Sequence, residues 1–219
     1  MDRIQQIKEQ ICQVGLLLYN RGYVVMNDGN ISVKISENEI IITPAGVSKG
    51  RMTPDMMVTV NLEGEILDGS RFPSSEMKMH LVVYKNRPDV QSVVHAHSPA
   101  ATALAVTHTP INVRYLPEML LGLGEVPVAG FGVPSTTEVP DSVKPYLAGH
   151  NAVLLANHGA LAWSSDLWSA FDKMEALEFA AKTQMNVQPL GGGKEIPQKQ
   201  IDHILSLKNY YVGINNVTR

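Results

Sequence analysis

The sequence predicts a single α/β domain in which strands of one sheet are interleaved with amphipathic helices, and three observations carry the prediction. Short β-branched runs recur between residues 31 and 156, helical apolar periodicity brackets them at both ends, and no Gly- or Pro-rich linker interrupts residues 1–188. The composition agrees, because 219 residues with 44% hydrophobic and 18% charged side chains can bury a substantial core.

The elements follow in chain order. Ile4, Ile7, Ile11, Val14 and Leu18 recur at spacings of three and four, which is one face of a helix ending near Gly22. Residues 31–35 and 39–43 are strand-like runs around a polar turn at 36–38, and 57–61 is a third before the Glu63-Gly64 turn. Ser75 can cap a helix running to about Asn86, after which the valine-rich run 90–97 reads as a strand. Ser98-Pro99 opens another helix, with Ser as cap and Pro at the first helical position, where a missing N–H costs nothing. Strands are expected near Val126 and over 152–156, with a helix over 139–147 between them, and a long helix over 166–187 follows. Gly191, Gly192 and Gly193 precede a last helix over 199–207, so residues 189–219 are expected to form a mobile C-terminal segment of one domain spanning 1–219.

Charge bounds the partners. With 18 Lys+Arg against 21 Asp+Glu, a net charge of −3 and no basic run, the chain offers no electrostatic footprint for nucleic acid or an anionic membrane surface. An anionic ligand must be held by a local site. The single cysteine, Cys12, lies in apolar surroundings, cannot form an internal bridge and fits a reducing cytoplasm. No apolar run approaches a signal core or a membrane span, so a cytoplasmic protein is expected.

His95 and His97 are two apart in an apolar strand, which sends both side chains to one face, as two ligands of one ion require. Alone, the pair fits ligation and ordinary satisfied histidines equally well. His158 follows the apolar run 152–156 in Asn157-His158-Gly159, at a strand end where sites are commonly built, although it also reads as a loop histidine. Three imidazoles plus a carboxylate or water make the open arrangement of a catalytic zinc site, and Glu76 is the carboxylate candidate. Taken singly, Glu76 is also an ordinary first-turn helix residue.

Gly29-Asn30-Ile31-Ser32, Thr43-Pro44-Ala45-Gly46, Pro73-Ser74-Ser75-Glu76, His95-Ala96-His97 and Asn157-His158-Gly159 occur in the order and approximate spacing of the class II aldolase/adducin family, which the chain resembles over roughly residues 5–185. Its motifs are most similar to those of the members that cleave L-fuculose 1-phosphate. The resemblance implies a central, mainly antiparallel β-sheet flanked by helices. It makes His95, His97 and His158 ligands of one Zn2+ per subunit, with Glu76 as catalytic acid/base and a metal contact in the empty enzyme. The implied activity is retro-aldol cleavage of a 1-phosphorylated ketose to dihydroxyacetone phosphate and an aldehyde, in which a Lewis acid stabilises the enediolate and a carboxylate moves protons.

Gly29, Asn30, Ala45, Gly46, Ser74 and Ser75 match the family's three phosphate-holding segments, whose donors are neutral amides and hydroxyls. Read singly, the glycine pairs are merely turns. Two positions depart from the family: Ala45 stands where a hydroxyl is usual, and Asp28 stands where Ser or Ala is common. A carboxylate beside a phosphate is unfavourable, so Asp28 is expected to face outward or to orient Asn30. The family's C4 homotetramer with inter-subunit sites implies that Tyr115 assists proton transfer in a neighbour's site, and Tyr210 or Tyr211 matches a tail tyrosine. His80, four residues after Glu76, is expected in a solvated or supporting role, while His108, His150 and His203 read as ordinary.

Three alternatives stay open. Dehydration of a methylthioribulose 1-phosphate uses the same metal and a glutamate, and the departures at Asp28 and Ala45 keep it in play. A ribulose-phosphate 4-epimerase typically has Asp at the position of Glu76. An adducin-like interaction module without catalysis lacks the metal ligands that are present here.

Overall fold

The computed structural model of the chain describes residues 2–207, so Tyr210 and Tyr211 lie outside the described residues. The first element is α1 (Arg3–Asn20), whose start is capped by the Asp2 carboxylate accepting from the Ile4 amide, and whose apolar stripe buries Ile11, Val14 and Leu18. Four strands follow, β1 (Asn30–Lys34), β2 (Glu39–Ile42), β3 (Val58–Asn61) and β4 (Ile66–Asp68). Then come α2 (Met77–Asn86), β5 (Ser92–Ala96), α3 (Pro99–Val106), α4 (Pro117–Gly122), β6 (Val128–Ala129) and α5 (Glu138–Val143). The chain closes the sheet with β7 (Ala152–Leu155) and β8 (Gly159–Ser164), and ends with α6 (Leu167–Val187) and α7 (Gln198–Ser206).

The eight strands form one sheet in the order β4-β3-β2-β1-β5-β8-β7-β6, antiparallel throughout except for the β6–β7 pair. The expected central, mainly antiparallel sheet is therefore what the chain builds. Helices cover both faces, as the alternation in β2 shows. Ile41 packs into the cluster that includes α1, α3 and α6 side chains, while Ile40 and Ile42 pack into the cluster with α2 and α5. No described helix is long and apolar enough to cross a membrane.

Several elements differ from the sequence reading. Strand β8 was not expected because Gly-Ala-Leu-Ala-Trp carries little β-branched signal, yet its place between β5 and β7 buries it on both faces. Strand β4 is an exposed three-residue edge, and α4 is a short helix opened by Pro117. Helix α2 starts one residue later than a Ser75 cap requires, with Glu76 at the cap position and no side-chain cap bond. The strand expected near Val126 begins at Val128, and Val126 itself makes only an isolated bridge to Ile111. The helix expected over 139–147 is α5 followed by a separate 3-10 turn at Lys144–Tyr146. Of the segment 189–219, the part through 207 is described and docked. Glu195 accepts from Asn112 and Arg114, the Ile196 amide donates to the Arg114 carbonyl, and Ile201 is buried in the core.

Helix α3 begins two residues after His97, and its start is held from across the domain. The Glu178 side chain on α6, fully buried, accepts from the Ala100 and Ala101 amides at 3.1 and 3.0 Å and pairs with Lys182 at 3.3 Å. Glu178→Ala strands those two amides and opens a cavity. It should lower stability by about 3 kcal/mol, and Glu178→Gln, which keeps one acceptor, by less, as read from urea unfolding midpoints. An alanine variant as stable as the parent would show that α3 needs no cap from α6.

Candidate active site

Strand register decides where the site forms. Asn30 at the start of β1 pairs with His95 near the end of β5, and Ala96 pairs with Ala160 near the start of β8. The loops before β1, after β5 and before β8 therefore gather at one end of the sheet. Gly29 permits that approach: it sits at φ 73°, and a Cβ there would lie 2.9 Å from the His95 carbonyl oxygen. On the β7–β8 side Asn157 adopts the left-handed conformation at φ 55°, which asparagine tolerates, and its side-chain oxygen is bonded to His108 Nε2 at 2.8 Å. That turn aims His158 back over the sheet end, so His108, which the sequence left ordinary, braces a site loop.

The three histidines and Glu76 converge. Their ligand atoms all lie within 4.8 Å of one another, and the three ring centroids are mutually 4.9 Å apart at interplanar angles of 67° to 72°, a propeller around a common centre. His95 Nδ1 donates to the Ala160 carbonyl at 2.8 Å, which turns Nε2 into the cluster, 3.0 Å from His97 Nε2 and 3.2 Å from Glu76 Oε2. His97 Nδ1 faces Asp28 Oδ2 at 3.4 Å, so its Nε2 also points inward. His158 Nε2 lies 3.2 Å from Glu76 Oε1, a buried oxygen with no hydrogen-bond partner among the described residues. Burial pushes His97 down to about 3, aided by the neighbouring His95 and His158, so this imidazole is neutral and offers a lone pair. Burial alone would raise the Glu76 carboxyl, but the adjacent His95 and His158 imidazoles outweigh it and hold the group well below the usual carboxylate range.

Such a set fits a divalent ion. With metal–nitrogen distances of about 2.05 Å, tetrahedral ligands sit about 3.3 Å apart, and the contacts of 3.0 to 3.2 Å found here lie within a few tenths of that edge. The orphaned Glu76 Oε1 and the inward lone pairs are groups that a cation would satisfy.

Beside the cluster lies a cavity of about 130 Å³ that brings together all six residues expected to hold phosphate: Gly29, Asn30, Ala45, Gly46, Ser74 and Ser75. Their roles differ from the expectation. The Ala45 amide is already bonded to the Phe72 carbonyl at 2.9 Å, so Ala45 shapes the wall but supplies no free donor. The amides of Gly29, Gly46 and Ser75 have no acceptor among the described residues and remain available. Asp28 neither faces outward nor orients Asn30; it lies on the cavity wall, turned to His97. The sequence reading also missed Lys49, a buried cation on the same wall.

Asn30 is oriented instead by His80, which is fully buried. The bond directions are fixed by the carboxylate at one end. Glu76 Oε2 can only accept, so Asn30 presents its Nδ2 to it at 3.2 Å, leaving Asn30 Oδ1 to accept from His80 Nε2–H. His80 Nδ1 then accepts from Ser32 Oγ at 2.7 Å, and Ser32 Oγ accepts from Tyr84 Oη at 2.8 Å. Tyr115 stands apart from this assembly in its own chain. It is half-buried, does not line the cavity, and packs its ring against Gly193.

Comparison with known proteins places this geometry. The family described as Class II Aldolase and Adducin N-terminal domain matches residues 9–185. A 3-oxo-tetronate 4-phosphate decarboxylase of Haemophilus influenzae is 34% identical over 83% of this chain and 88% of its own length. A 5-deoxy-D-ribulose 1-phosphate aldolase of Bacillus thuringiensis serovar kurstaki is 31% identical over 92% of this chain and 94% of its own. Among solved structures, an L-fuculose 1-phosphate aldolase superposes with a TM-score of 0.85 at 30% identity, covering 91% of this chain and 94% of that one.

Burial, with the nearby His95, pushes His80 down to about 3 from an ordinary 6.5, so between those values the unfolded chain takes up a proton that the folded chain refuses. Stability should therefore fall as pH drops below 6.5, by about 2 kcal/mol at pH 5 from this group alone. Denaturation series at pH 7 and pH 5 check this, and His80→Asn, which cannot titrate, should show the shallower slope.

Proposed function

Because the chain belongs to the class II aldolase and adducin family, we propose that it is a zinc-dependent aldolase that cleaves a 1-phosphorylated ketose to dihydroxyacetone phosphate and an aldehyde. The observation that carries this reading is the placement of the phosphate-sized cavity directly against the His95, His97, His158 and Glu76 cluster, with Glu76 and His97 belonging to both. That arrangement fixes a phosphate at one end of a substrate while its carbonyl reaches the ligands. The relatives at 31% and 30% identity that bear aldolase names support it.

In this reading His95, His97 and His158 hold the ion, which supplies Lewis-acid stabilisation of charge developing on the substrate's oxygens. The free amides of Gly29, Gly46 and Ser75 receive the phosphate, which orients the carbon–carbon bond to be broken. Glu76, ionised and held by Asn30, takes the proton from the hydroxyl whose carbon becomes the aldehyde and returns it to the fragment that keeps the phosphate. Tyr115, remote from its own chain's cavity, acts in a neighbouring subunit's site within a C4 homotetramer, and the protein works in the cytoplasm.

A second reading is favoured by the 34% identical decarboxylase. A 3-oxo-tetronate 4-phosphate that loses carbon dioxide leaves the same dihydroxyacetone phosphate fragment, so one charge-stabilising site serves both reactions. Only the leaving group differs: an aldehyde departs after its hydroxyl is deprotonated, whereas carbon dioxide departs without a base.

Metal-loaded protein incubated with fuculose, ribulose and rhamnulose 1-phosphates and with a 3-oxo-tetronate 4-phosphate should release dihydroxyacetone phosphate, measured by a coupled reductase. Aldehyde formation supports the aldolase, and carbon dioxide from the tetronate alone assigns the decarboxylase. His97→Ala should lose metal and turnover together. Glu76→Gln should keep the metal, by elemental analysis, and lose roughly 10²- to 10⁴-fold in aldol turnover; full activity in that variant would refute its role.

A further inference from the structure

The cavity beside the cluster contains a charge that the glycine and serine motifs do not account for. Lys49 is 2% exposed and is the one lysine or arginine among the described residues lining that cavity. Its position is built by α1. The short turn Lys49–Arg51 sits on that helix at Gly15, where a Cβ would lie 2.9 Å from the Lys49 carbonyl oxygen. From there the side chain runs beneath two loops, and Nζ donates to the Val47 carbonyl at 2.6 Å and the Asn27 carbonyl at 3.0 Å. These carbonyls belong to the segments that carry Gly46 and Gly29, so one ammonium ties together the two glycine loops of the cavity. An ammonium has three N–H donors, and the third has no acceptor among the described residues. Burial pushes the group down to about 8, with Asp28 opposing the shift, so at neutral pH it is charged.

A buried cation with a spare donor, beside free amides and a hydroxyl, selects an anion. It also resolves Asp28, whose carboxylate would otherwise leave the cavity hostile to phosphate. We propose that Lys49 is a specificity-determining residue: it pins the two glycine loops and presents its remaining N–H and its charge to the phosphate of the substrate, so that the site takes a phosphorylated ketose over the free sugar. The proposal rests on reading this cavity as the phosphate site of the reaction above.

Calorimetric titration of inorganic phosphate into metal-loaded protein tests it without relying on turnover. Lys49→Gln retains a donor for one loop carbonyl and removes the charge. Phosphate should bind it roughly ten- to a hundredfold more weakly than the parent at unchanged metal content, and Lys49→Arg should recover most of the loss. With a ketose phosphate, KM should rise by more than kcat falls. A Lys49→Gln protein that keeps its metal and binds phosphate as the parent does overturns the proposal. Should that variant not fold, Lys49→Met, similar in length but without charge or donor, replaces it: the same tenfold or greater weakening is expected, and parent-like phosphate binding at unchanged metal content overturns the proposal. A parent that cleaves no sugar phosphate, yet binds inorganic phosphate through Lys49, refutes the proposed reaction and upholds this residue's role.

Discussion

An ionised carboxylate buried against three imidazoles is the constraint on which the rest of the site depends. Burial raises the cost of charge on Glu76, and that charge persists only because His95 and His158 face it. His95 and His97 bring their inward nitrogens to 3.0 Å, close to the edge of a tetrahedral ligand set. A cation fits among these groups, and the sheet supplies rigid positions for them. His95 lies in a central strand with its outer nitrogen fixed by the Ala160 carbonyl of the next strand.

The same carboxylate dictates polarity well beyond its own contacts. Because Glu76 can only accept from Asn30, each later bond through His80, Ser32 and Tyr84 has a single allowed direction, and the chain runs through residues that are almost wholly buried. Such a network tolerates no half measures. Loss of one member strands its neighbours in a core that water does not reach, so the network fixes both α2 against β1 and the Asn30 amide that holds Glu76.

Much of this was legible in the sequence, and the reasons are specific. His95 and His97 could be paired because a strand's period of two puts alternate residues on one face, and the expected sheet formed. His158 could be placed because an apolar run ends just before it. Glu76 could be picked only through the motif around it, since a first-turn glutamate is unremarkable alone. Lys49 was invisible for a physical reason: a lone lysine in a loop reads as solvated, and it is buried here because α1 and the loop of Asn27, both distant in sequence, close over it. His80 shares a helix face with Glu76, as its spacing says, but its burial comes from β1, which no local pattern reveals. Strand β8 escaped because its small residues are strand-forming only in the slot between β5 and β7.

The charge balance of the whole chain and that of the site tell different stories, and the difference is local. A net charge of −3 and the absence of a basic run exclude a long-range field that gathers anions. At the sheet end the opposing groups lie within one cavity wall: Glu76 and Asp28 against Lys49 leave one formal negative charge, and a divalent ion in the cluster would turn this into one positive charge. Asp28 sits at the junction, turned to His97 of the histidine cluster while its charge acts on Lys49 across the cavity. The sign of the local charge would thus change over a few ångströms on filling the cluster, in a low-dielectric pocket where each charge counts for more than it would on an open surface.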